Sequence, residues 1–346
     1  MRSKKVKKKL YTVGRYIIII LSIILIILSL MSLLYDFPYW FIKIIDFPRI
    51  QYFVIAVLLL VLYIILNRKW NFASFLLVAG IISSLTIHGT KLMPYIVGEK
   101  TVPDSKSPNL LQEDSIGILL ANVLIDNKKT FKFLQIIKNV DPDLILVMEV
   151  NQLWISELQE LKKDYSYYVE YPLNNAYGMA IYSKFELMEY DINFLHGDEV
   201  PSIHTKILMP SGRKIRFHGM HPVPPVPSDK YPDNVGEDEL ALVKVGKIVA
   251  MDSLPSIVAG DFNDVSWSKT SRMFEREGNL NNIRIGRGFY NSFNAKSLFL
   301  RWPLDHFFVT DDFSLMTLER LGKFNSDHFP IYAKLTLNEK RSQEYN

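Results

Sequence analysis

The chain has 346 residues, is 49% apolar, carries a formal charge of +4 and contains no cysteine. A disulfide framework, a thiolate nucleophile and a cysteine-bound metal are excluded, so any metal must be held by oxygen and imidazole. The length exceeds what one ordinary domain needs, which predicts at least two structurally distinct parts.

Residues 1–15 hold seven Lys and Arg and no acid, and from Tyr16 to Leu34 the chain runs without a charge. That run is long enough to cross a bilayer core at about 1.5 Å per residue, and no small-residue cleavage site follows it, so it reads as a retained anchor. Further apolar runs at Tyr52–Leu66 and Trp70–Gly89 lack a polar face and complete a bundle of three transmembrane helices. The basic N-terminus and the Arg68–Lys69 pair favour the cytoplasm, whereas Asp36–Arg49 is nearly balanced. Three crossings then put everything after Gly89 outside the cytoplasmic membrane. Once the seven N-terminal positives are set aside the remainder is net acidic, so the basic pI reports membrane topology and not a polyanion-binding surface.

Residues 1–90 are therefore expected to form the anchor, 91–114 a polar linker, 115–338 a globular domain and 339–346 a polar tail. In the globular part IGILLANVL, a helix through TFKFLQIIKNV, DLILVMEV and a helix through LWISELQELKK open as a βαβ unit. YSYYVEYP, GMAIYSK and a hairpin of SIHTKILMP and KIRFHGMHP turning at Ser211–Gly212 read as antiparallel strands. A helix over Asp238–Ser253, the strand SIVAG, a helix over Thr270–Arg276, and the strands LDHFFVT and HFPIYAKLTL follow. This mixture predicts an α/β domain of two packed sheets with helices outside; no glycine loop for phosphate is present.

Several apolar runs end in groups suited to metal or acid–base work: Asn122, Glu149, His221, Asp261 with Asn263, Asp305, and Asp327 with His328. If SIVAGDFN continued as a strand, Asp261 and Asn263 would share one face. An acceptor and an amide side by side can orient a water and hold a phosphate oxygen. Glu149 and Asp327 offer the hard oxygens that Mg²⁺ prefers, and Mn²⁺ accepts the same set. Histidine exchanges protons near neutrality, and Asp305 beside one would set its tautomer. Singly, each also fits a turn former, a cap or a solvated acid; their recurrence at strand ends carries the reading.

The pieces A-N-V (121–123), D-L-I-L-V-M-E-V (143–150), G-M-A-I-Y-S-K (178–184), H-G-M-H-P (218–222), A-G-D-F-N-D (259–264), L-D-H-F-F-V (304–309) and S-D-H-F-P-I (326–331) occur in this order. In them the chain resembles the endonuclease/exonuclease/phosphatase superfamily, which includes deoxyribonuclease I, apurinic endonucleases, neutral sphingomyelinases and inositol polyphosphate phosphatases. The anchor is similar to that of membrane-attached bacterial members. The resemblance implies a four-layer α/β/β/α sandwich and a Mg²⁺-dependent hydrolase of phosphate esters. By position it implies Glu149 as the main metal ligand with Asn122 and Asp327 nearby, Asp261 orienting or deprotonating water, and Asn263 on the scissile phosphate. It further implies His328, oriented by Asp305, on the transition-state charge, and His221 as an acid near the leaving oxygen. Leu124 stands where apurinic endonucleases carry an acid, which argues against abasic-site repair.

The expected function is a membrane-anchored phosphodiesterase using in-line water attack, first of all a nuclease, with a phospholipid phosphodiesterase or phosphatase as the alternative. A nuclease needs a basic groove, for which Lys184, Arg213, Lys214, Arg216, Arg284, Arg287 and Arg301 are candidates. A lipid enzyme needs apolar lips, for which Tyr177, Trp267, Phe289, Tyr290, Phe299 and Trp302 are candidates, Trp302 being the one expected at the substrate. A third reading is an inactive phosphate- or protein-binding module, which would not need so many acids near one another. Nothing in the sequence points to a protein partner.

Overall fold

A computed structural model describes residues 2–34, 37, 39–105, 112–232 and 241–338. Asp36, positions 106–111 of the expected linker, the first residues of the helix expected from Asp238, and the expected tail at 339–346 lie outside the described residues. The chain falls into two compact units, Met1–Pro94 and Tyr95–Asn346.

In the first unit α1 (Arg2–Met31), the short α2 (Trp40–Ile44), α3 (Arg49–Leu66) and α4 (Phe72–Val97) follow one another. Three helices, Lys5–Met31, Arg49–Leu66 and Phe72–Val97, are long and apolar enough to cross a membrane. The third begins two residues after the expected Trp70 and runs past Gly89, through Pro94. Ile18 and Leu25, Ala56, Leu59 and Tyr63, and Ile81 close the helix contacts, while Ile20, Leu58 and Ile65 face outward. The buried Arg49 bonds Asp46 at 2.6 Å and reaches His88 at 3.3 Å, and His88 contacts Ser29 at 2.9 Å. Arg49, Asp46, His88 and Ser29 thus form one buried polar network within the bundle.

The second unit contains two six-stranded mixed sheets. Its strands are β1 (Ser115–Asn122), β2 (Leu144–Met148), β3 (Tyr167–Tyr171), β4 (Met179–Ser183), β5 (Glu186–His196), β6 (Val200–Leu208), β7 (Lys214–Met220), β8 (Ser256–Asp261), β9 (Asn281–Asn282), β10 (Asp305–Val309), β11 (Phe313–Arg320) and β12 (Ile331–Leu337). The first sheet has the order β11-β12-β1-β2-β4-β3, the second β5-β6-β7-β8-β10-β9. Helices α5 (Thr130–Val140) and α6 (Gln152–Glu157) follow β1 and β2, and α7 (Ala241–Met251) and α8 (Lys269–Gly278) flank β8.

Alternation in the strands decides the layers. In β1, Ile116, Ile118 and Leu120 enter the core between the sheets, whereas Leu119 and Ala121 face Phe133 and Ile137 of α5. In the second sheet, Ile257 and Ala259 point inward, and Val258 packs with Leu242 and Val245 of α7 and Phe274 of α8. The result is the α/β sandwich expected, with helices on both outer faces. Residues 95–105, inside the expected linker, pack onto this unit: Val102 joins the inter-sheet core, and Leu315 N–H donates to Pro103 O at 2.8 Å.

Three strands were not anticipated, the two-residue β9 and the longer β5 and β11, and each of the longer two carries register shifts. A bulge interrupts the period-two pattern by which a strand is recognised.

Candidate active site

Strand polarity gathers the polar ends. β1 and β2 run parallel, as do β7 and β8, while β12 is antiparallel to β1 and β10 antiparallel to β8. The ends of β1, β2, β7 and β8 therefore lie at one edge with the starts of β10 and β12, which is where Asn122, Glu149, His221, Asp261, Asp305 and His328 stand.

Asp261 and Asp305 are directly opposite in the β8–β10 ladder. Two carboxylates so placed repel, and His328 lies against both: its Nδ1 is 2.7 Å from Asp305 Oδ2 and its Nε2 is 3.4 Å from Asp261 Oδ2. Burial works against a charged ring, but the Asp305 and Asp261 charges and the Asp305 hydrogen bond override it, pushing His328 up to about 10. His328 is thus an imidazolium at neutral pH. Burial raises the Asp261 carboxyl, and His328 acts in the opposite sense.

Asn122 Nδ2 donates to Glu149 Oε1 at 2.8 Å and to Asp261 Oδ2 at 3.0 Å, joining the two sheets. Its Oδ1 accepts the Leu124 amide at 3.0 Å, so here Asn122 orients the two acids instead of presenting its oxygen to a cation. Glu149 Oε2 accepts from Ile125 N–H at 3.2 Å, and burial pushes this carboxyl up to about 7 against those hydrogen bonds. Among the described residues, Asp327 makes no hydrogen bond or ion pair with Asn122 or Glu149; its half-buried carboxylate takes a 3.5 Å contact from Ser326 and adds to the field on His328.

The strand-face expectation for Asp261 and Asn263 does not hold. β8 ends at Asp261, Asn263 turns left-handed at φ 51°, and its N–H donates to Asp261 Oδ1 at 2.9 Å. This Asx-type turn directs Asn263 Nδ2 to Pro222 O at 3.0 Å, leaving its second amide hydrogen for a ligand. Glu149, at φ 63°, is also left-handed. Such backbone costs about 1–3 kcal/mol per residue and concentrates at sites whose side chains must be aimed.

His221 Nε2 is 3.8 Å from Asp261 Oδ2, and its ring packs on Tyr177 with centroids 5.2 Å apart. Burial brings His221 down to about 4, only partly opposed by Asp261. The expected acid role therefore meets a physical objection, because this ring is neutral where an acid must carry its proton. Trp302 stacks on Phe293 at 6.0 Å, and Phe293 in turn lies 5.0 Å from the His328 ring.

Sequence reasoning missed the supports. Ser292 Oγ accepts the Asp305 amide at 3.1 Å, Ser326 Oγ accepts the His328 amide at 3.0 Å, and Met148 Sδ accepts the Asp261 amide at 3.0 Å. The buried Arg284 donates to Asp305 O and to His306 Nδ1, the latter at 2.8 Å. Met148, Ser326 and His306 lie inside the pieces D-L-I-L-V-M-E-V, S-D-H-F-P-I and L-D-H-F-F-V and Arg284 was named as a groove cation, but none of these support roles was legible, and Ser292 carried no signal.

The groove cations fare differently from expectation. Lys184, Arg213, Arg216 and Arg287 pair with Asp141, Asp114, Asp252 and Asp104, and Arg284 is buried. Of the expected lips, Trp267 is buried against Phe289, and Phe299 is 83% exposed.

Asp261 and Asp305 offer carboxylate oxygens close together, with His328 a third ligand atom within 4.8 Å only when its ring is neutral; Asp305 Oδ1 is buried without a hydrogen-bond partner among the described residues, and Glu149 lies one hydrogen bond away through Asn122. Among the described residues, these three acids face two cations, His328 and the buried Arg284 beside Asp305. A divalent cation on these oxygens would offset the excess, so the donor set fits one.

A model of the Endonuclease/Exonuclease/phosphatase family matches residues 119–328, ending on His328. No curated protein matches the sequence. Among solved structures, the catalytic domain of human Nocturnin with a bound sulfate anion is similar at a TM-score of 0.52 and 18% identity, over 65% of this chain and 96% of its own. An endonuclease/exonuclease/phosphatase from Bacteroides vulgatus gives 0.51 and 16%, over 65% and 99%. D. rerio TDP2 complexed with a single strand DNA product gives 0.51 and 14%, over 64% and 99%. At these identities the likeness is one of fold.

Proposed function

The chain belongs to the Endonuclease/Exonuclease/phosphatase family of phosphate-ester hydrolases, and from that premise we propose a membrane-anchored, Mg²⁺-dependent phosphodiesterase that works by in-line attack of water. The observation that carries this reading is His328 held as an imidazolium between Asp305 and Asp261 while Asn122 ties Asp261 to Glu149.

Glu149 and Asn122, with Asp327 alongside, would hold the cation, Asn122 by turning its amide oxygen inward. Mg²⁺ or Mn²⁺ there supplies Lewis-acid polarisation of a phosphoryl oxygen. Asp261, its carboxyl raised by burial, accepts the proton of the attacking water. His328 donates from Nε2 to the charge developing on the phosphoryl group, with Asp305 retaining the Nδ1 proton. Asn263 offers its second amide hydrogen to a non-bridging oxygen, and neutral His221 orients the water or leaving group.

Between the two substrate classes the geometry favours a lipid phosphodiester over a nucleic acid, because four groove cations are spent on ion pairs and a fifth is buried. The nuclease reading rests on the exposed Lys214 and the cations around Phe329.

The test uses the full chain in detergent with sphingomyelin or phosphatidylglycerol, plasmid DNA and bis-p-nitrophenyl phosphate, each with Mg²⁺ or EDTA. Hydrolysis that needs both Mg²⁺ and His328 is expected; none by a folded chain would leave the inactive binding module. Because the chain has no cysteine, Lys138→Cys labelled in intact cells by an impermeant maleimide tests the outward orientation, and labelling only after lysis would reverse it.

A further inference from the structure

The loop between β9 and β10 leaves the site and returns to it. At its base Ala295 N–H donates to Asp327 O at 2.6 Å, Phe329 N–H donates to Ser292 O at 2.9 Å, and Phe293 bridges Trp302 and His328. Its tip then presents Leu298, Phe299 and Leu300 in succession, 75%, 83% and 55% exposed. Soluble surfaces scatter large apolar residues singly; three together on a loop strapped to a catalytic histidine mark a contact.

Cations gather around Phe329 at the base of this loop. Arg301, Arg320 and Lys323 place their charges 5.1, 4.5 and 5.7 Å from the centroid of the buried Phe329 ring, and Lys296 is exposed on the loop itself. Among the described residues none of the four is in an ion pair, unlike Lys184, Arg213, Arg216 and Arg287. The segment from Asn294 to Trp302 contains no acid.

We propose that Leu298–Leu300 inserts into the interfacial region of a bilayer bearing anionic lipid, with Lys296, Arg301, Arg320 and Lys323 on the headgroups, so that the site opens onto lipid phosphodiesters. An apolar tip on a loop that carries Lys296 and Arg301 and has Arg320 and Lys323 at its base is complementary to that interface. A nucleic acid would use the same cations but stacks on aromatic faces, and the two leucines beside Phe299 give it nothing to stack on. The lipid substrate rests on the phosphodiesterase reading above; the docking does not.

The absence of cysteine makes the test direct. Phe299→Cys and, as control, Lys138→Cys on α5 are labelled with an environment-sensitive fluorophore in the full chain, reconstituted in nanodiscs with acyl-chain nitroxide lipid. The 299 label should shift to the blue and be quenched in discs containing phosphatidylglycerol, with the 138 label unchanged. Arg320→Glu with Lys323→Glu should lower the quenching to its value in pure phosphatidylcholine. Leu298→Ser with Leu300→Ser should reduce hydrolysis of lipid in discs several-fold while hydrolysis of bis-p-nitrophenyl phosphate in detergent stays constant. A 299 label no more quenched than the 138 label in anionic discs overturns the proposal. So does a label that responds to a single-stranded oligonucleotide and not to lipid. Quenching without any hydrolysis would keep the docking and remove the enzymatic reading.

Discussion

Asp305→Asn is the substitution that tests the site most directly, because it removes a charge and almost no volume. Asp305 and His328 are both buried, and their contact is 2.7 Å. Raising His328 from the ordinary 6.5 to about 10 corresponds to about 5 kcal/mol in favour of the charged ring, with the Asp305 charge the first of the groups that raise it. Asp261 remains 3.4 Å away in the variant, so the ring keeps one counter-charge and its titration moves down toward the ordinary histidine range. In the parent the ring stays charged until pH approaches about 10; in the variant the charge is lost as pH rises through neutrality. The expected result is a loss of about 10²-fold in kcat/KM at pH 8, the scale for removing one preorganised donor, and a smaller loss at pH 6. Stability should fall by less than the roughly 3–5 kcal/mol that an uncompensated buried charge costs. The assay is hydrolysis of bis-p-nitrophenyl phosphate across pH with saturating Mg²⁺, alongside urea unfolding. An unchanged kcat/KM at pH 8, or an equal loss at both pH values in a fully folded variant, would refute the reasoning.

Three other outcomes are expected. Glu149→Gln should raise the Mg²⁺ concentration needed for half-maximal activity by about 10–100-fold, the range for disturbed metal shells, with the fold intact by circular dichroism; unchanged metal dependence would remove Glu149 from the metal site. In the second sheet His204 Nε2 lies 2.7 Å from Ser202 Oγ and His204 Nδ1 lies 2.6 Å from His218 Nδ1; burial brings the two rings down to about 4 and about 3. The unfolded chain takes up these protons first, so stability is complete above pH 6.5 and is lost as pH falls, by roughly 2 kcal/mol per histidine at pH 5; His204→Leu with His218→Leu should flatten the dependence of the urea midpoint on pH between 5 and 7. Gly260 has φ +150° and a Cβ there would lie 1.8 Å from Met220 O, so Gly260→Ala should cost about 3 kcal/mol or more, read as a lower thermal midpoint; a parent-like midpoint would mean that β7 and β8 can separate freely.

The three membrane-length helices were legible because a bilayer demands apolar length, which is a property of sequence alone. The α/β class and most strands were legible for a similar reason: short apolar runs such as I-G-I-L-L-A, bounded by polar groups, have the length of buried strands. β5 and β11 were not, since each carries a bulge that puts consecutive residues out of phase. The polar strand ends could be named from the residues, but their roles depend on neighbours brought from far along the chain. Asn122 contacts Asp261 across 139 positions, and His221 stays neutral beside Asp261 because burial outweighs that charge. The Asp261–Asn263 pair shows the limit of local reasoning: alternation predicted one shared face, and the left-handed turn at Asn263 placed the amide against Pro222.

The sequence by itself determined the partition into apolar helices and an α/β domain, together with the identity of the chemical groups, because hydrophobic length, alternation and residue type are local properties. Tertiary structure alone decided which cations are spent in ion pairs, which histidine carries the proton and where Leu298–Leu300 stands beside the site. Charge and exposure at a position are set by what packs around it, and those neighbours are distant in sequence.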